Sequence, residues 1–195
     1  MQDEPKNPIK MSRRKIQRDH HIQRLIERAE QVKISDKLDE EIKQYFITSR
    51  DLASGKFSHR GISARFDNPM KNMEKIASVI LDIQAYKDRL IHIQCLLFEH
   101  ASALTSCKRV AIEHIRESYS EILKARGSLA LQEVFIDSVI EPILEKRELV
   151  DLYLKKVNVI LENLHNSHFA YRDVGEFGKT LITRIEGGRH TNVRI

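Results

Sequence analysis

In the stretch LENLHNSHFAYRDVGEFGKT, residues 161–180, Glu162, His165 and His168 follow one another at three-residue spacing. A carboxylate and an imidazole one helical turn apart are metal ligands in helical bundles, where two Glu-x-x-His units meet a Glu from each of two further helices. Here Glu162 and His165 form the only such unit, since no other Glu is followed three residues later by His. His168 lies about 120° around the helix from Glu162, so only adjacent members of the trio share a face. Too few ligands converge for a bundle metal centre. The reading is no metal and no cofactor, with Glu162 and both histidines on the surface of a helix end.

Nucleophilic chemistry finds even less support. The chain contains no G-x-S-x-G, no H-E-x-x-H, no Walker loop and no G-x-G-x-x-G. Cys107 belongs to an apolar helical stripe, and His100 and His114 fall on or near it, which makes them packing residues rather than a nucleophile and its base. The expectation is a protein that is not an enzyme.

Binding chemistry is better represented. MSRRKIQRDHHIQR gathers Arg13, Arg14, Lys15, Arg18 and Arg24 within about three helical turns, interrupted by Asp19. A loop, GKFSHRGISARFDN, adds Lys56, His59, Arg60 and Arg65 beside Phe57 and Phe66. Guanidinium groups for phosphate and aromatic faces for base stacking are what sequence-independent single-strand binding requires. Residues 1–33 hold nine Lys or Arg against five Asp or Glu, and residues 171–195 five against three, so the positive charge sits on the two ends. Such ends suit an anionic partner, nucleic acid first and membrane surface second.

These groups need a scaffold, and the scaffold reads as helix almost throughout. Only seven Gly and four Pro occur in 195 residues, which suits long helices better than strands and turns. A first helix is predicted from Ser12 to Val32, a second from Ser35 and Asp36 to Gly55, and a third from Asn68 and Pro69 as N-cap and first residue. In the third, Ile76, Ile83, Leu90, Leu97 and Leu104 recur every seven residues, with Val79, Tyr86, Ile93, His100 and Cys107 three further on. This is a heptad seam. The stripe resumes at Ile112, Ile115, Tyr119 and Ile122 after a stutter, and Gly127 offers the bend. A second stripe follows on Ile136, Ile140, Ile143, Val150, Leu154, Val157, Leu161 and Leu164, with Arg147 its one charged member. At Pro142 either this helix kinks or a new one begins.

The predicted fold is therefore all-α: an elongated helical bundle with two long antiparallel coiled-coil-like helices preceded by short N-terminal helices. Its parts are a basic arm with two short helices and a loop over 1–67, a long helical hairpin over 68–174, and a basic flexible tail over 175–195 that begins with a bend at Gly175 and Gly178. Each half-seam (Ile76, Ile83, Leu90, Leu97 and Leu104; Leu154 and Leu161) is also able to pair with another copy or another protein, so a homo-oligomer is expected. Cys95 and Cys107 lie twelve residues apart in one helix, about 18 Å, too far for a disulfide. Both read as reduced core residues of a cytoplasmic protein. There is no secretory h-region at the N-terminus and no run of eighteen apolar residues to span a membrane.

Two segments resemble a known family. KRELVDLYLKKVNVILENLHNSHFAYRDVGEF is similar to the end of the UvsY-type phage recombination mediators, at Leu161, Glu162, Leu164, Phe169, Tyr171 and Arg172. KRVAIEHIRESYS is similar to that family's basic helix at Lys108, Arg109, Val110, Ala111, Ile112 and Tyr119, while Glu113 and Ile115 stand where the family carries further basic residues. The resemblance implies a non-enzymatic oligomer that binds single-stranded DNA and loads a recombinase, with Arg172 among the DNA-binding residues. The second reading is a helical scaffold or adaptor of a secretion, conjugation or phage assembly whose seams bind protein.

Overall fold

The computed structural model describes residues 8–54 and 69–191, and side chains over 13–54 and 70–185. Among these residues there is helix and no strand, in the order α1 (Pro8–Gln17), α2 (His20–Glu30), α3 (Asp36–Ala53), α4 (Pro69–Ser118), α5 (Ser120–Lys124), α6 (Leu129–Val139) and α7 (Glu141–Thr191). They fall into two compact units, one made of residues up to 35 with 96–154, the other of 36–95 with 155 onward. Each long helix, α4 and α7, contributes a part to both.

In the second unit the start of α4 runs antiparallel to the end of α7: Ile76 lies against Gly175, and Gln94 donates to Asn158 at 2.6 Å. Along α4, through its parts in both units, the predicted heptad positions Ile76, Ile83, Leu90, Leu97 and Leu104 are all buried, as are Val79, Ile93 and Cys107, while Tyr86 and His100 are half-buried. Each fully buried Leu or Ile contributes roughly 2 kcal/mol. These side chains are covered within one chain, so a second copy has to meet other surfaces. α3 closes the unit on α4: Arg89 donates to both oxygens of Glu41 at 2.7 and 2.8 Å, and Tyr45 packs beside Tyr86. The hydrogen bond from Arg89 holds the Glu41 carboxyl below its usual range despite partial burial.

In the first unit the charged member of the second stripe solves its own burial. Arg147 donates to the Ala101 carbonyl at 2.6 Å and to Thr105 Oγ1 at 2.8 Å, and its Nε meets Asp151 at 2.9 Å. α1 packs against α6 and α2, with Ile16 and Ile22 fully buried.

Several sequence expectations are corrected. The first helix is two, because Asp19 accepts hydrogen bonds from the amides of His21 and Ile22 and so ends one helix and caps the next. The turn at Gly127 exists, with φ at +87°, but α4 has already stopped at Ser118, and α5 and α6 form the return. α7 then starts afresh at Glu141, with Pro142 in the first turn where its missing amide is harmless. Ala111, not Ile112, continues the heptad, and the shift comes one repeat later at Ile115. Leu161 is only half-buried, and Ile160 and Leu164 take the inner positions. Cys107 is buried but Cys95 is exposed.

The largest correction concerns residues 175–191, predicted as a flexible tail after a bend. α7 continues through Gly175 and Gly178 without interruption. Its inner stripe runs on as Ser167, Tyr171, Gly175 and Gly178, three of them small, and small residues allow close approach to α4. A Cβ on Gly175 would stand 3.5 Å from Ile76 Cγ2 and 3.9 Å from Met73 Cε, ordinary contact distances. Gly175→Ala should therefore stabilise the protein by about 0.5–1 kcal/mol, through the lower entropy of the unfolded chain and better helix propensity. A raised melting temperature checks this; a lowered one would mean that the glycine is needed as a bend.

Candidate nucleic-acid interface

Of the cations predicted to bind an anionic strand, Arg13, Arg14, Lys15 and Arg18 lie in the first unit and Arg172 in the second. Arg13 is committed elsewhere, paired with Glu141 at the start of α7 at 2.7 Å. Arg14, Lys15 and Arg18 are exposed. Arg14 sits about opposite the buried Ile16 on α1, as a 100° rotation per residue requires, and Arg18 follows in the turn after it. Arg24 and Arg28 are exposed on α2. Among the described residues none of these five has an ion-pair partner, so their charge is presented to solvent. Lys56, Arg60 and Arg65 lie outside the described residues.

Arg172 belongs to the second unit, in a stripe that α7 builds from the i, i+4, i+7 positions His165, Phe169 and Arg172. The Phe169 ring carries Arg172 Cζ at 5.1 Å and the edge-on ring of His165 at 4.7 Å. Phe169 is 40% exposed, so an aromatic surface with a cation on it faces solvent. His168 leans inward, its Nδ1 buried without a hydrogen-bond partner. Burial, then the nearby Lys87, Arg172 and His165, push its pKa down from the ordinary imidazole value. Neutral His168 thus adds no charge to this stripe at neutral pH. Glu162 and His165 are exposed, and among the described residues no group of three or more His, Cys, Asp or Glu side chains could hold a metal ion.

A polar cluster beneath the basic helices has no counterpart among the sequence expectations. Tyr119, at the break between α4 and α5, donates its hydroxyl to Asp19 Oδ2 at 2.7 Å. His114 Nε2 lies 3.2 Å from Asp19 Oδ1, close but without aligned hydrogen-bond geometry, and the ring of His21 packs against His114 at a tilt of 38°, centroids 4.6 Å apart. Asp19 thus joins the α1–α2 break to the α4–α5 break. Such partners, 95 and 100 positions apart, leave no local pattern; the N-cap was the only readable signal. Burial acts to raise the Asp19 pKa, but the hydrogen bond from Tyr119, the contact with His114 and the two backbone amides outweigh it and hold it at about 2. The same bond, with burial and the Asp19 charge, pushes the Tyr119 phenol up to about 12.

Comparison with known proteins finds no matching family model, no matching curated protein and no matching solved structure. The geometry of the two surfaces therefore carries the functional argument.

The Asp19–Tyr119 pair has a defined pH window. A lowered Asp19 pKa gives stability that is present above the ordinary value of 3.8 and lost as pH falls through about 2. A raised Tyr119 pKa gives stability that is present below 10.0 and lost as pH rises through about 12. Tyr119→Phe should lower stability by about 1 kcal/mol between these limits, with a smaller effect at pH 2. Thermal melts of both proteins at pH 7 and pH 2 check this, and an equal loss at both values would assign the effect to packing.

Proposed function

We propose that this protein is a non-enzymatic helical assembly factor that binds single-stranded nucleic acid through α1 and α2, of the recombination-mediator kind that its sequence resembles. One observation carries the reading: Arg14, Lys15, Arg18, Arg24 and Arg28 are exposed on two consecutive helices and the turn between them, and none is paired among the described residues. Asp19, which divides this run in the sequence, is occupied by Tyr119, His114 and the α2 amides, so its carboxylate does not compete for the cations outside. Glu27 and Glu30 remain as the acids of this surface. Phosphates held by flexible cations give affinity without sequence preference.

A second reading, a helical scaffold or adaptor that binds protein, is favoured by α6. Leu129, Leu131 and Val134 are 77%, 58% and 68% exposed there, more apolar surface than a solvated helix carries. The two readings differ in their response to salt: phosphate contacts weaken steeply as ions are added, apolar contacts hardly at all.

Anisotropy of a fluorescein-labelled thymidine oligonucleotide, titrated with protein at two salt concentrations, tests the first reading, with the mass measured by light scattering. Five phosphate contacts would make log K fall with log salt at a slope of about −3.5. Replacing Arg14, Lys15 and Arg18 with Ala should weaken binding by at least about tenfold and reduce that slope by about two. Unchanged affinity in the triple variant would refute the role given to α1.

A further inference from the structure

The first unit holds a groove that the nucleic-acid reading does not use. It runs where α6 leans on α4 and α5, as two adjoining hollows of about 480 and 240 Å³ that share Arg116, Glu133 and Ile136. Its floor is apolar, made by Ile112, Leu123 and Ile136, and Leu129 forms a lip at one end. Its walls carry opposite charge. Lys108, Arg116 and Lys124 stand on the α4–α5 side, and Glu133 and Asp137 on the α6 side. Among the described residues no ion pair joins the two walls. Oppositely charged side chains that flank a common hollow without pairing leave both signs available to whatever lies between them.

We propose that this groove is the docking site for an amphipathic α-helix of a protein partner, one with an apolar stripe flanked by acidic residues on one side and basic residues on the other. The stripe's i, i+3 or i+4, and i+7 side chains fill the floor, as in helix-in-groove recognition. The acids of the incoming helix meet Lys108, Arg116 and Lys124, and its bases meet Glu133 and Asp137. Charge also disfavours another copy of α6 as occupant. That helix carries Glu133 and Asp137 with no Lys or Arg of its own, so it would satisfy the basic wall and repel the acidic one. A nucleic-acid strand is repelled by the same acidic wall. The inference is separate from the proposed function, because Arg14, Lys15 and Arg18 take no part in the groove.

The test uses the full chain and three fluorescein-labelled helical peptides with the same Leu stripe. One has acidic residues on one flank and basic residues on the other, one is acidic on both flanks, and one is basic on both. Reversing the direction of a bound helix exchanges its flanks, so one of the two directions always sets the split peptide's acids against the basic wall and its bases against the acidic one. Anisotropy should show the split peptide binding at least about tenfold tighter than either uniform one, since each uniform peptide sets like charges together. In the double variant Arg116→Glu with Lys124→Glu, both walls become predominantly acidic and the preference should pass to the uniformly basic peptide. Both positions are exposed, and a circular dichroism melt confirms that the variant is folded. Leu129→Glu should weaken the split peptide without altering oligonucleotide binding. Equal affinity for the three peptides, binding of none, or an unchanged preference in the double variant would overturn the proposal. So would a dimer of the protein, seen by light scattering, that the split peptide dissociates, because a second copy would then be the occupant.

Discussion

One constraint organises both units: the inner face of α4 must be covered along its length. A helix of this extent is held by tertiary burial rather than by propensity. In the second unit the cover comes from α3 and the end of α7, and in the first the beginning of α7 lies along the same helix. Where α7 covers α4 the buried residues change from the large Ile160 and Leu164 to the small Ser167 and Gly175. At Gly175 there is room for a methyl group beside Ile76, so the glycine is buried without being required there.

Polar groups at the edges of these contacts determine where helices stop and which neighbours they take. Arg147 spans from α7 to the Ala101 carbonyl and Thr105 and keeps its charge balanced by Asp151. Asp19 performs two tasks with one carboxylate, capping α2 and receiving Tyr119. Because an unpartnered buried polar group costs more than a paired one returns, such clusters define one arrangement more sharply than apolar packing does. The breaks at Asp19 and Tyr119 are accordingly joined features. Their pairing fixes α1 and α2 against the end of α4, and so fixes the surface on which Arg14, Lys15 and Arg18 are displayed.

The surface charge follows from what remains after this internal pairing. Arg13, Arg89 and Arg147 are engaged by Glu141, Glu41 and Asp151 in partly exposed ion pairs, so their charge is already matched. The exposed cations of α1 and α2 are the residue of that process, which makes them the groups on which an anionic partner can act. The groove beside α6 has a different character, apolar at its floor and of both signs at its walls, so the first unit offers two chemically distinct surfaces.

The sequence by itself determined the helical class, the α4 seam from Ile76 to Leu104, the turn at Gly127 and the basic character of the N-terminal helices. All of these are local or periodic, and an apolar residue at every seventh position says which face is inside without saying what lies against it. Only the tertiary structure decided which polar residues end helices, which cations are spent in pairs, and how far α7 extends. Asp19 and Tyr119 are a hundred positions apart, and nothing near either one announces the other. Ala111, Ser167, Gly175 and Gly178 are buried, yet a hydrophobic pattern passes over them because they are small. The physical reason is that burial depends on the distance to the neighbouring helix, and that distance is a property of the packed pair rather than of either strip of sequence.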